Sequence, residues 1–240
     1  MLVQACSLGV AIDGSDIFDN VDLTCAPGSM TALVGPSGCG KTTLLHCLGL
    51  LQFPTNGRIL VDGKDTVKWS SSQRRQFWRR HAAFVLQDYG IMEDESLGFN
   101  VTMRASFLGG RIRGDLERLE EALHYVGLDG RAYERASHLS GGEKQRLAVA
   151  RAIYKRADVI YVDEPTASLD EKNRHTVARL FKERASAGCT VVVATHDEEM
   201  VAQCTSSYRV GLVIPGQAAT CASSGPVTST SEGVRYGTEE

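Results

Sequence analysis

Apolar positions along this chain fall into distinct rhythms, and their order predicts a layered α/β protein. Short continuous apolar runs, Met30-Thr31-Ala32-Leu33-Val34, Val159-Ile160-Tyr161-Val162 and Val191-Val192-Val193-Ala194, have the pattern of strands buried on both faces. Helical patterns run from Lys41 to Leu51, from Asp115 to Val126, from Ser140 through Arg151 to Tyr154, and from Glu171 to Ala187. Strand and helix patterns alternate, so a parallel sheet is expected. The N-terminal stretch Leu2 to Leu23, broken by a turn at Asp13-Gly14-Ser15, reads instead as antiparallel strands, and Arg58 to Gly63 as a further strand with a turn. From Asp88 to about His138 the pattern turns helical. Residues 214–240 are rich in Gly, Ser, Thr and Ala without periodicity, which predicts a flexible tail behind an ordered unit of residues 1–213.

Composition narrows the class. A chain of 240 residues, 42% hydrophobic and with a net charge of −3, holds one large or two small globular domains. No stretch approaches the roughly 20 apolar residues that span a bilayer, and the N-terminus lacks a charged start followed by an apolar core, so the expectation is a soluble, cytoplasmic protein. The seven cysteines (Cys6, Cys25, Cys39, Cys47, Cys189, Cys204 and Cys221) are odd in number and scattered, which indicates reduced thiols and neither zinc nor disulfides. The densest charge, Arg74-Arg75-Gln76-Phe77-Trp78-Arg79-Arg80-His81, is short and isolated in a slightly acidic chain. It reads as a solvated helix face, with a lipid-headgroup or partner contact as the alternative and no nucleic-acid partner.

The chemistry lies in short motifs. Gly35-Pro36-Ser37-Gly38-Cys39-Gly40-Lys41-Thr42 fits a phosphate loop, in which glycines let backbone N–H groups converge on the phosphates of a nucleotide. The preceding strand and following helix support that assignment, because the helix start favours anions. Lys41 would reach the β- and γ-phosphates, Thr42 would place its hydroxyl on Mg²⁺, and Thr43 is left for the α-phosphate side. Cys39 sits beside a lysine and a helix start, both of which lower a thiol's pKa; the simpler reading is an inert small residue. The strand Val159 to Val162 delivers Asp163 and Glu164 at its C-terminal end, where open α/β sheets bind ligands. Asp163 suits Mg²⁺, and Glu164 suits orienting or deprotonating an attacking water. In Leu139-Ser140-Gly141-Gly142-Glu143-Lys144-Gln145-Arg146-Leu147, Ser140 is a natural N-cap and the two glycines expose backbone N–H groups, giving a second anion-binding helix start.

This last stretch resembles the signature motif of the ATP-binding-cassette ATPases, and the family's other landmarks follow in order over about residues 2 to 213. The resemblance implies a P-loop NTPase core with a mostly parallel sheet, an N-terminal antiparallel β-subdomain and an inserted helical subdomain at about residues 88–140. It implies that Ser140, Gly141 and Gly142 act in trans, closing on the nucleotide held by a second cassette subunit, with a homodimer expected. Gln87 matches the family's glutamine that senses Mg²⁺ and water, His196 the histidine that contacts the γ-phosphate, and Asp170, in Ser168-Leu169-Asp170, the loop that crosses the dimer interface. One landmark is missing: no aromatic residue lies in Val10-Ala11-Ile12-Asp13-Gly14 to stack on adenine. Ile12 is the best match, and Phe18 is expected to point into the core.

ATP and Mg²⁺ are therefore the expected ligands, and integral membrane permease subunits the expected partners, on the inner face of the cell membrane. Tyr89-Gly90-Ile91-Met92, followed by Glu93-Asp94-Glu95, is a candidate docking surface for such a subunit. The stretch Leu45 to Gly57 resembles the subgroup serving lipoprotein release and macrolide or peptide export, and Gln87 to Leu97 resembles lactococcin-type bacteriocin exporters. An assembly ATPase of the same fold, as in iron–sulfur cluster scaffolding, is the alternative. A chromosome-maintenance ATPase is not, because too few residues separate Thr42 from Leu139 to hold a long coiled coil.

Overall fold

The computed structural model describes residues 1–86, 88, 90–104, 112–166 and 169–211. Two sheets organise them. The first is antiparallel, in the order β2-β1-β4-β5, from β1 (Val3–Ile12), β2 (Ser15–Cys25), β4 (Asn56–Val61) and β5 (Lys64–Asp65). The second is parallel, in the order β6-β7-β8-β3-β9, from β3 (Met30–Val34), β6 (Ala82–Val85), β7 (Val159–Asp163), β8 (Thr190–Ala194) and β9 (Ser206–Arg209).

The strands of the second sheet read as unbroken apolar runs because both faces are covered. Along β7 the residues alternate sides. Ile160 and Val162 join one core with Leu147 of α5 (Gly141–Lys155) and Phe181 of α6 (Glu171–Ser186), while Val159 and Tyr161 join a second core with α1 (Lys41–Leu48) and the antiparallel sheet. Each fully buried Val or Leu here contributes about 1.5–3 kcal/mol. Between β6 and β7 the chain adds α3 (Leu97–Thr102), α4 (Leu116–Tyr125) and a 3₁₀ turn at Ala136–His138. Leu119, Ala122 and Leu123 form the buried stripe of α4, which packs on α5, so the helical pattern read between Asp88 and His138 is realised as short helices. The expected tail, residues 214–240, lies outside the described residues.

The structure differs from the sequence reading at two places. The helix after the phosphate loop ends at Leu48 rather than Leu51. There the hydroxyl of buried Tyr161 donates to Leu48 O at 2.8 Å, the Trp78 indole N–H donates to Gly49 O at 2.9 Å, and Leu50 turns to φ 60°. Tertiary donors thus take the last carbonyls of the helix, which local sequence does not reveal. The arginine-rich helix α2 (Ser71–Arg80) is also not wholly solvated: Arg75, Arg79 and Arg80 are exposed, but Arg74 is only 6% exposed. Its guanidinium donates to Thr66 O at 3.1 Å and lies 3.9 Å from the centre of the Phe53 ring, so helical spacing aims one of four arginines inward.

Candidate active site

Strand register brings the motifs level. Leu33 pairs with Ala194, and Ala194 with Asp163, so the loops leaving β3, β8 and β7 begin side by side at the carboxyl edge of the sheet. After β3 comes the phosphate loop, with φ values of 154°, 79° and 94° at Gly35, Gly38 and Gly40. A Cβ at Gly35 would lie 2.6 Å from Cys39 Sγ, and one at Gly40 2.6 Å from Ile17, so the loop curls more tightly than side chains permit at these positions. Pro36, Ser37 and Gly38 are exposed, and Cys39 is half-buried. Helix α1 starts from Gly40 with no side-chain cap and no acidic residue in its first turn, whereas α5, α6 and α7 (Glu198–Ala202) carry both. An uncapped, acid-free helix start leaves its N–H groups to an anion.

Lys41, buried at the base of this loop, donates to Gly35 O at 3.0 Å and Pro36 O at 3.2 Å. Its ammonium lies 3.6 Å from Glu164 Oε1, with side-chain exposures of only 8% and 15%. Thr42, the next residue, donates from its hydroxyl to Asp163 Oδ1 at 3.1 Å. Burial pushes the Asp163 carboxyl above the usual range, and the Thr42 hydrogen bond opposes that rise. Glu164 occupies the left-handed region at φ 43°, a conformation that costs a non-glycine residue energy and accumulates at functional sites. Its N–H donates to Ala194 O at 2.9 Å, and His196 Nδ1 approaches its Oε2 to 2.9 Å without hydrogen-bond alignment. The carboxylate of Glu164 is thus held between a lysine at the start of α1 and a histidine in the loop after β8. Thr43 is half-buried at the start of α1.

The remaining motif residues form a second group. Ser140 caps α5 through a capping box: its hydroxyl accepts from Glu143 N at 3.4 Å, and Glu143 Oε2 accepts from Ser140 N at 2.9 Å. Arg131 binds the same carboxylate and is the main reason the Glu143 carboxyl falls to about 2. Asp170 caps α6, accepting from Asn173 N at 2.9 Å. Ser140 and Asp170 are exposed, Gly141 is half-buried and Gly142 is buried. Sequence reasoning missed two residues that support this group, Arg131 and Asn173. Asn173 stands at the third position of a capped helix, where side chains return to the cap, and that spacing is the signal.

Gln87 and Ser168 lie outside the described residues. Ile12, at the end of β1, is 45% exposed, and Phe18 is 3% exposed in the core. Among the described residues no cluster of three or more His, Cys, Asp or Glu side chains gathers. A single buried carboxylate with a neighbouring hydroxyl fits Mg²⁺, which commonly takes one or two protein carboxylates and fills its shell with phosphates and water.

A glycine loop joining a parallel strand to an uncapped helix, with an acidic pair at the end of a nearby strand, defines a P-loop nucleotide-binding protein. A family model described as ABC transporter matches residues 18–167, and the chain belongs to that family. It is 36% identical to the lipoprotein-releasing system ATP-binding protein LolD of Syntrophus aciditrophicus over 208 residues, 86% of this chain and 92% of that protein. It is 38% identical to the macrolide export ATP-binding/permease protein MacB of Burkholderia thailandensis over 186 residues. That match takes 78% of this chain but 28% of the relative, so the chain spans less than a third of MacB. Among solved structures it resembles a dimeric ATP-binding cassette in a post-hydrolysis state bound to ADP and Pi, with a TM-score of 0.74 and 28% identity over 87% of this chain and 94% of that one.

Proposed function

We propose that this chain is the ATP-hydrolysing subunit of an exporter-type transporter, acting as a dimer of cassettes beneath integral membrane partners at the inner face of the cell membrane. One observation carries the reading: Lys41, Thr42, Asp163, Glu164 and His196, from three strand ends, converge on the mouth of one phosphate loop.

The loop N–H groups from Gly35 to Gly40 cradle the phosphates of ATP, and Lys41 exchanges its two loop carbonyls for phosphate oxygens. Thr42, Asp163 and Gln87 would hold Mg²⁺, which would neutralise phosphate charge when bound. Glu164, pinned by Lys41 and facing His196, orients the attacking water and accepts its proton, and His196 contacts the γ-phosphate. Ile12 meets the base by aliphatic contact, so the phosphates and the metal supply most of the affinity. Ser140, Gly141, Gly142 and Asp170 form the edge that closes on the nucleotide of the second subunit. The relatives named above, with lipoprotein-releasing and macrolide export systems in their names, support export of a peptide, lipoprotein or drug-like molecule. No described helix is long and apolar enough to cross a membrane. Met92, 43% exposed after Gly90 and Ile91, offers that partner an apolar contact; Tyr89 lies outside the described residues.

The test is Glu164→Gln protein supplied with Mg²⁺ and ATP. Turnover falls by about 10²–10⁴-fold, the range for losing a general base, while a closed dimer accumulates on size exclusion. Capture from solubilised membranes of the native cell then yields a stoichiometric polytopic membrane protein. Normal turnover refutes the role of Glu164, and recovery of soluble partners alone refutes the transporter.

A further inference from the structure

Gly142 is helical, the second residue of α5, and is absent from the positive-φ residues. Its backbone therefore does not require glycine, which helices disfavour relative to alanine. What excludes a side chain is a close approach: a Cβ at Gly142 would lie 2.6 Å from Asn173 Cγ and 2.8 Å from both Nδ2 and Oδ1. The carboxamide of Asn173 is seated on the start of α5, where Ser140 and Gly141 also lie.

That carboxamide is engaged at both its nitrogen and its oxygen. Its Nδ2 donates to Asp170 Oδ2 at 2.9 Å, and its Oδ1 accepts from Arg146 Nη1, one turn into α5, at 2.8 Å. The partners fix its orientation, because arginine only donates and a carboxylate only accepts. No other side chain of this size offers both functions in one plane: aspartate lacks the donor, and leucine lacks both. Asn173 N also donates to Asp170 Oδ1, so Asp170 is held at both oxygens by one residue.

We propose that Asn173 is a positioning residue that ties the start of α5 to Asp170, so that Ser140–Gly142 and Asp170 meet the second cassette as one rigid edge. The inference rests on the dimer proposed above. It adds that the two trans-acting elements are set by a single half-buried carboxamide bridge inside each protomer rather than separately by the partner. Asn173 exerts its role through Gly142 and Asp170 rather than by contact with the nucleotide. Removing it leaves the phosphate loop untouched and unfixes the edge, so dimer closure weakens while nucleotide affinity does not.

The experiment uses the full chain carrying Glu164→Gln, measuring Mg·ATP affinity by equilibrium titration at low protein concentration and ATP-driven dimerisation by analytical ultracentrifugation. Asn173→Ala removes both side-chain bonds. Asn173→Asp keeps the backbone cap of α6 and an acceptor for Arg146 but sets a carboxylate against Asp170. Both variants are expected to dimerise only at about tenfold higher protein concentration, the effect of losing a hydrogen bond to a charged group, with ATP affinity within about twofold of the parent. Gly142→Ala, whose Cβ displaces the carboxamide, is expected to weaken dimerisation as well. Parental dimerisation in both Asn173 variants overturns the proposal. So does an ATP affinity that falls in step with dimerisation. If the Glu164→Gln parent itself does not dimerise on ATP, the dimer reading fails first and the inference falls with it.

Discussion

Two regions of this protomer carry the recognisable motifs, and they are built differently. The phosphate-loop region is closed on itself: Lys41 meets Glu164, Thr42 meets Asp163, and Glu164 meets His196, all at or near the buried carboxyl edge of a parallel sheet. The region of Ser140 and Asp170 is linked just as firmly within itself, through Glu143, Arg131, Asn173 and Arg146, but its polar ends are exposed. Among the described residues no hydrogen bond or ion pair joins the two regions. Each is ordered by its own contacts, and neither completes the other within one chain. On the function proposed above, a protomer holds two half-sites, one to take the nucleotide and one to offer to a neighbour.

The comparison breaks most visibly if the halves are disabled in separate chains. Lys41→Ala is expected to weaken ATP binding by about 30-fold or more by removing a charge-assisted contact to phosphate, and Ser140→Arg to block the offered edge. Each variant alone is inactive, and an equimolar mixture regains turnover because one composite site is intact. Phosphate-release assays on the mixture check this, and silence of the mixture removes the half-site picture.

A smaller effect sharpens the internal side. Tyr161→Phe leaves Leu48 O without its buried donor at the end of α1 and is expected to cost about 1–2 kcal/mol of stability in urea unfolding. Glu164 and the phosphate loop are not touched, so ATP affinity stays within about twofold.

The smallest expected effect belongs to the offered edge. In the folded chain Arg131 holds the Glu143 carboxyl at about 2, against 4.5 for the free group. Because the folded value is depressed, this contribution is fully present above the free value and is lost as pH falls from about 4.5 towards 2. Glu143→Gln is therefore expected to cost about 1 kcal/mol near neutral pH, with the gap to the parent closing in that acid window. Denaturation midpoints at several pH values measure it, and a gap that widens in acid contradicts the assignment.

Much of this was legible beforehand, for physical reasons that differ by element. The buried strands Met30–Val34 and Val159–Asp163 appeared where unbroken apolar runs placed them, because a strand covered on both faces has no polar side to display. Ser140 and Asp170 were readable as caps because capping is local chemistry, complete within four residues. The end of α1 was not legible, because its carbonyls are taken by Tyr161 and Trp78 from elsewhere in the chain. Arg74 was misplaced with its exposed neighbours for a related reason: charge density is a property of the run, while burial is a property of one helical face.

The sequence by itself determined the strand–loop–helix units, the motif residues they carry and, through these, the family, because periodicity, caps and glycine spacing act over a few residues. Only the tertiary structure decided that Glu164 lies between Lys41 and His196, and that Asn173 sits on Gly142 and holds Asp170. Those contacts join residues brought together by parallel register and helix packing, and neither is written in the local pattern of the segments that make them.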